Sequence, residues 1–294
     1  YSIDNFASSN IAVPTAGTAK DYQPGSLTST TWFRRKTISG KCETYSNAIK
    51  VIVLPAITNN AISADQTVCK NTAPSTLTGP VPNGGDPAII FYLWEQSTDG
   101  GTTWTIAPGA SDQQNYNSPA LAVPTKFRRT VKSGLNNCCI AVSNIINVGI
   151  HQLPTAKIVS IADTTICNGQ AVKLRVSLTG ATGWTLEYKE NAATITPVTG
   201  ITSSYFTISR IPDGLSSSQS VFNYTLASLK DNNNCYANFT DLTGSRKATI
   251  YRVPVADAGP ATTDVCGPVY QLEAKPSDGS GTWSWKSSTP VLSP

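Results

Sequence analysis

Seven cysteines, one histidine and 18 acidic residues are the groups with reactive potential in this 294-residue sequence. A cysteine or serine nucleophile needs a base beside it, most often histidine. The single histidine, His151, sits in the stretch Gly149 to Pro154, and no G-x-S-x-G elbow occurs anywhere. It reads as a solvated linker residue. Zinc is disfavoured as well, because no C-x2-C pair exists and one histidine cannot complete a Cys/His set. Glycoside cleavage needs two facing carboxyl groups, and sequence alone leaves an accidental pair open.

The segment Ser97 to Trp104 matches the pattern S-x-D-x-G-x-T-W, which recurs in sialidase-type propellers as a structural turn away from the catalytic centre. A propeller would carry several copies, and one clear match is present. The simpler reading is a tight hairpin. Gly100 and Gly101 supply positive-φ positions, Asp99 bonds nearby backbone, and Trp104 packs back on the sheet.

The elements that must position these residues are strands. Runs rich in Val, Ile, Thr and aromatics alternate with Gly/Asn/Asp/Ser turns. Expected strands include Ile49–Leu54, Ile89–Glu95, Lys126–Lys132, Val172–Leu178, Trp184–Lys189, Tyr224–Leu229 and Lys247–Tyr251. Within Lys126–Lys132, Phe127, Arg129 and Val131 alternate against Arg128 and Thr130, a period of two. No helical stripe persists beyond two turns, so helix is expected to be nearly absent.

The sequence repeats. Tyr22, Leu27 and Phe33-Arg34-Arg35 recur at one constant offset as Tyr116, Leu121 and Phe127-Arg128-Arg129, and Ser46-Asn47 recurs as Ser143-Asn144 after a small insertion. A polar–polar–apolar–Cys start recurs at Cys69, Cys167 and Cys266, one immunoglobulin-sized sandwich of about 100 residues apart. Proline follows shortly before each start, at Pro55, Pro154 and Pro254. The expected architecture is all-β, with tandem immunoglobulin-like β-sandwiches in a linear array. It comprises a partial domain 1–57, full domains 58–155 and 156–255, and a partial domain 256–294, both ends reading as cuts through a longer polypeptide.

The repeat also orders the cysteines. Each domain has one at its start and one near its last hairpin, which predicts the disulfides Cys69–Cys139 and Cys167–Cys235. Cys42 and Cys266 would have partners beyond the ends. Cys139 is preferred to Cys138 because it precedes Ser143 as Cys42 precedes Ser46. Loops this long would give bridges worth ~4 kcal/mol each and suit an oxidising, extracytoplasmic setting. Buried free thiols are the alternative.

Other candidates are weaker. Calcium at the domain joints would draw on Asp65, Asp163, Asp257 or Asp264, but no D-x-D-x-D run supports it, and no other cofactor is expected. Trp94, Trp184, Trp283 and Trp285 read as core aromatics on strands. One arginine of each Arg-Arg pair is expected to face solvent and the other to cover the sheet rim. Asn223 and Asn238 fit N-glycosylation sequons. The net charge of +4 and the short basic run Arg34-Arg35-Lys36 point to neither nucleic acid nor anionic lipid. No apolar run approaches the ~20 residues that span a bilayer, so no membrane insertion is expected.

The run from Trp94 to Trp104, then Gly109, Tyr116, Phe127-Arg128-Arg129 and Ser143-Asn144, resembles the Ig/PKD-like repeats of giant Bacteroidota surface proteins. Asp257 to Pro260, Val265-Cys266-Gly267 and Gly281 to Ser284 resemble a second repeat type of the same proteins. Such proteins are similar to the SprB-like adhesins of gliding bacteria. The resemblance implies an extracellular, cell-surface location and export by type IX secretion. It also implies adhesion and gliding in partnership with the gliding machinery, with no catalysis. Asp163-Thr164-Thr165 matches that phylum's O-glycosylation pattern, with Thr164 as the acceptor. The alternatives are accessory domains of a secreted glycan-degrading enzyme and the subunit of an extracellular filament.

Overall fold

A computed structural model describes residues 1–12, 20–160, 162–195, 197–213, 218–259, 261–264, 266–267, 271–272 and 284–287. The chain divides into two compact units, Tyr1–Ile150 and His151–Pro294. Among the described residues there is no α-helix, only two single 3-10 turns, and no helix long and apolar enough to cross a membrane. Five of the seven expected strand runs lie wholly in strands; the one expected from Ile89 begins at Ile90, one residue late, and of Ile49–Leu54 only Ile49–Val51 is strand.

In the first unit, β1 (Thr31–Phe33), β2 (Lys36–Ser39), β3 (Cys42–Tyr45) and β4 (Ile49–Val51) precede a fuller sandwich. That sandwich contains β5 (Gln66–Cys69), β6 (Ile90–Ser97), β7 (Thr105–Ile106), β8 (Thr125–Ser133), β9 (Cys139–Val142) and β10 (Ile146–His151). The sequence repeat is a repeat of register. Thr31 and Phe33 pair with Val51 and Ile49, as Thr125 and Phe127 pair with Val148 and Ile146. Ser39 faces Cys42, as Ser133 faces Cys139.

The recurring Ser-Asn step has a defined task. The Arg35 N–H donates to Ser46 Oγ at 2.9 Å and the Ser46 N–H donates to the Arg35 carbonyl at 2.9 Å. Arg129 and Ser143 repeat this at 2.8 and 2.9 Å. The serine hydroxyl then donates to the carbonyl of Asn47 or Asn144. These bonds satisfy the backbone where the returning chain leaves the hairpin for the next strand.

The sheet runs β5-β10-β8-β6-β7, with β9 also on β8. Opposite it lies a layer of loops tied by the isolated bridges Thr58–Asn83, Thr72–Leu121 and Leu77–Tyr116. Between them, Trp94 stacks on Tyr116 and Tyr116 meets Phe127 at a tilt, both at 5.7 Å centroid spacings, with Leu77, Ile146 and Val148 around them. The Tyr116–Phe127 contact has a counterpart in Tyr22–Phe33, at 6.0 Å.

The second unit is a two-sheet sandwich. Its strands are β11 (Ala156–Ile158), β12 (Thr164–Cys167), β13 (Val172–Leu178), β14 (Trp184–Glu190), β15 (Ala193–Thr194) and β16 (Val198–Ile201). They continue with β17 (Tyr205–Arg210), β18 (Gln219–Lys230), β19 (Leu242–Thr243) and β20 (Ser245–Tyr251). One sheet is β17-β13-β11-β19. The other is β12-β20-β18-β14-β15, with β16 on β14. The chain starts in one sheet and crosses to the other, where β12 lies parallel to β20. Strand β13 alternates cleanly, with Val172, Leu174, Val176 and Leu178 inward. They meet Trp184, Leu186, Tyr224 and Leu229 from the facing sheet. The architecture is all-β, with immunoglobulin-like sandwiches in tandem.

Trp94 and Trp184 are core residues, as expected. Trp285 is not: it is 54% exposed and lies in no strand. Trp283 lies outside the described residues.

Candidate functional site

The turn at Ser97–Trp104 is a hairpin between β6 and β7, which pair Glu95 with Ile106 and Gln96 with Thr105. Gly100 and Gly101 have φ of 78° and 97°, which side-chain-bearing residues avoid. Asp99 accepts from the Thr103 hydroxyl and N–H, the Ser97 hydroxyl and the Thr102 N–H. These donors, the Thr103 hydroxyl foremost, hold its carboxyl well below the usual carboxylate range. Both carboxylate oxygens thus take part in closing the turn. Trp104 folds back and donates its indole N–H to the Gly101 carbonyl at 3.1 Å.

Arg128 lies over the Trp104 ring at 4.3 Å and grips Glu95 with two bonds of 3.0 and 3.1 Å. The Thr130 hydroxyl adds a third bond to Glu95. Burial pushes the Glu95 carboxyl up, and these donors outweigh it, so the group stays ionised below its ordinary value. The cluster ties the hairpin to β8 and presents no free acid or base.

Arg129 differs from expectation. Rather than cover the rim, it is fully buried. Its guanidinium donates to Asn60 Oδ1 at 2.9 Å, the Gln114 carbonyl at 2.9 Å and the Pro80 carbonyl at 3.0 Å. Tyr92 and Trp94 flank it at 5.3 and 5.9 Å. Burial pulls its pKa down. A Cβ at Gly79 would sit 2.5 Å from the guanidinium, so glycine there makes room for it. A buried cation is tolerable only when its donors are met, and three loop segments are pinned to the sheet by meeting them. The alternation of β8 already placed Arg129 on the face of Phe127 and Val131. Its acceptors, scattered from residue 60 to 114, left no signal.

The second sandwich has a comparable network that sequence reading missed. Glu190 accepts from Arg210 at 3.0 Å and from the Tyr224 hydroxyl at 3.1 Å, joining β14, β17 and β18. Burial, then the Glu190 charge, pushes the Tyr224 phenol far up.

The expected disulfides require correction. Cys139 and Cys167 are free thiols, and Cys69 and Cys235 are each disulfide-bonded. Neither Cys69–Cys139 nor Cys167–Cys235 forms. Strand direction explains why. Asp65 accepts from the Asn147 N–H, and Thr67 lies against Gly149, so β5 runs with β10 toward the Thr125 end of β8. Cys139 faces Ser133 at the other end, about 27 Å away along the nine residues of β8. In the second sandwich Cys167 faces Tyr251, and Tyr251 faces Gln219 at the start of β18. Cys235 lies in the turn beyond Lys230, past the far end of this 12-residue strand, ~36 Å away. A disulfide requires Cα atoms within ~7 Å.

Three of the four joint aspartates, Asp65, Asp163 and Asp257, bond to backbone N–H groups. Asp65 takes the Asn147 backbone and side-chain N–H groups, and Asp163 takes the Lys247 N–H and ammonium. Each ties its domain's start to its last strand. Asp257 accepts from the Gly259 N–H. Among the described residues no three His, Cys, Asp or Glu side chains gather into a possible metal site. His151 is the half-buried last residue of β10 rather than a linker residue. Thr164 is half-buried in β12, opposite Ala248, with Thr165 exposed beside it. A shallow groove is lined by Phe91, Tyr92, Leu93, Lys132 and Asn137 and contains no carboxylate.

No curated protein matches the sequence. Similar solved structures include the fibronectin(III)-like modules of Clostridium thermocellum CbhA, at 10% identity and a TM-score of 0.30 over 68% of this chain and 95% of that one. The titin fragment I67–I69 has 10% identity and a TM-score of 0.34 over 76% and 74%. Rst D1-D2 has 14% identity and a TM-score of 0.31 over 67% and 99%. One family model, described as a domain of unknown function (DUF8696), matches twice in succession, at residues 1–55 and 58–152. These matches cover the two copies joined by the shared register, and with just over half its length accounted for, the chain belongs to the DUF8696 family.

Proposed function

We propose that this chain is a non-catalytic repeat segment of a large cell-surface adhesin, acting as part of a stalk that holds a binding region away from the cell. The observation that carries the reading is the repeated register of β1–β4 and β8–β10, with the same Ser-Asn closure in each copy. Repetition of structural contacts, rather than of a reactive group, is what a linear array requires. The polar clusters are consumed internally: Asp99 closes a turn, Glu95 and Arg128 pin a hairpin, and Arg129 anchors loops. The disulfide-bonded cysteines favour an oxidising, extracellular setting.

Resemblance to gliding-bacterial adhesins supports the finer reading. Export would be by type IX secretion, and movement along the cell surface by the gliding machinery, with Thr164 as a glycan acceptor. In-frame deletion of residues 58–150 in the source organism tests it. Cells should still export the protein and should show altered attachment or gliding. Unchanged attachment and gliding, with the shortened protein confirmed at the surface, would contradict the adhesin reading.

A further inference from the structure

One face of the second sandwich is charged in a single sense. The sheet β17-β13-β11-β19 turns its apolar residues inward. Outward it presents Lys157 on β11, Lys173 and Arg175 on β13, and Tyr205, Thr207 and Ser209 on β17, all exposed. No outward position of these three strands carries a carboxylate. Lys157, Ser177 and Tyr205 share one cross-strand row, Arg175 and Thr207 the next, and Lys173 and Ser209 the third. With rows ~7 Å apart and strands ~4.8 Å apart, the three cations step across ~14 Å. Arg175 lies over the Tyr205 ring at 5.2 Å, and that residue stays 58% exposed. Two cations on other sheet faces, Arg128 and Lys247, are matched by Glu95 and Asp163. Among the described residues none of Lys157, Lys173 and Arg175 has such a partner. Asp213, the acid that follows β17, is taken up by Arg210.

We propose that this face binds an acidic polysaccharide, a chain of uronate sugars lying across β11, β13 and β17. Each kind of group on the face has a counterpart in that ligand. Sugar carboxylates meet the ammonium groups of Lys157 and Lys173 and the guanidinium of Arg175, whose fork takes a carboxylate through two N–H bonds. Ring hydroxyls meet Ser177, Thr207 and Ser209, which both donate and accept. The apolar side of a pyranose ring rests against Tyr205, whose ring is apolar and whose hydroxyl stays wet. An acidic peptide would answer the cations but not the rows of hydroxyls beside them. Three cations neutralise too few phosphates to hold a nucleic acid at physiological salt. The choice of a glycan also rests on the extracellular setting proposed above. The face gives the segment a ligand of its own, beyond its role as a spacer.

The test measures binding of the purified 294-residue chain to immobilised polygalacturonate. Dextran is the neutral comparator, and polyglutamate and single-stranded DNA are polyanions without uronate rings. The chain should bind polygalacturonate and not dextran, and binding should weaken as salt is raised. Lys157→Gln, Lys173→Gln and Arg175→Gln should each weaken it by roughly two- to fivefold, as loss of one exposed ion pair does, and the triple variant should abolish it. Lys189→Gln, an exposed position on the facing sheet, should bind as the native chain does. Tyr205→Ser should weaken binding to polygalacturonate. Three results would overturn the inference: no binding to polygalacturonate, an equal loss in Lys189→Gln, or polyglutamate or DNA bound as tightly as the polysaccharide. The readout needs no cells, so a blank strikes the glycan face alone and leaves the stalk reading to the deletion in the source organism.

Discussion

Replacing Arg129 with methionine removes a buried cation while keeping most of its aliphatic stem. In the native sandwich the guanidinium serves Asn60 Oδ1 and the carbonyls of Gln114 and Pro80. A buried acceptor left unsatisfied costs about 1–3 kcal/mol. Asn60 is buried, whereas the Gln114 and Pro80 carbonyls are part-buried and within reach of water, so after what is regained by no longer burying a charge the net loss is about 2 kcal/mol. Against a domain stability of roughly 5–15 kcal/mol, that is a large fraction. Native-state hydrogen exchange of the β6 and β8 amides reads it directly, because their slowest openings report global unfolding of this sandwich. Gly79→Ala provides the companion variant, since its Cβ would meet the guanidinium at 2.5 Å. It should destabilise the native protein by about 1–3 kcal/mol and cost much less once Arg129 is methionine. A loss under ~1 kcal/mol for Arg129→Met, or strict additivity of the pair, would refute the argument that the guanidinium anchors the loop layer.

In an alkaline titration followed by phenolate absorbance, Tyr116, Tyr188 and Tyr224 should ionise above the other tyrosines, because burial raises all three. A raised phenol contributes stability that is complete below its unfolded value of about 10 and is lost as pH rises; uniform ionisation of every tyrosine near that value would contradict it. Asp99 behaves in the opposite sense. Its carboxyl is held low, so hairpin stability is complete above about pH 4 and declines as pH falls further. Protection of the Thr102 and Thr103 amides, relative to their intrinsic exchange rate at each pH, should fall in acid and in Asp99→Asn, and unchanged protection would count against the turn assignment. Cys139→Ser and Cys167→Ser should each alter sandwich stability by less than ~1 kcal/mol, as judged by urea denaturation. A loss of 2–5 kcal/mol, typical of a bridge within a small domain, would restore the pairing that spacing suggested.

Much of the fold was legible because the repeat acts through short-range devices. Phe33 and Phe127 recur since each fills the same register position, and Ser46 and Ser143 since each closes the same bend. The Ser97–Trp104 turn was legible for a similar reason: its donors and acceptor lie within a few residues. The cysteine bridges were not legible. Spacing gives the domain period but not the pole at which a strand ends, and a start strand parallel to the last strand carries its cysteine away from the turn. Arg129 was half legible, since alternation put it on the inward face, whereas acceptors from three distant loops are a tertiary property. The Glu190–Arg210–Tyr224 network was hidden likewise, since it joins three strands that only the folded sandwich brings together.

Antibody labelling of intact, unpermeabilised cells with serum raised against residues 58–150 tests the central claim most directly. The stalk account predicts bright surface labelling that is lost when intact cells are treated with protease. Labelling only after permeabilisation, with full protection from external protease, would contradict it.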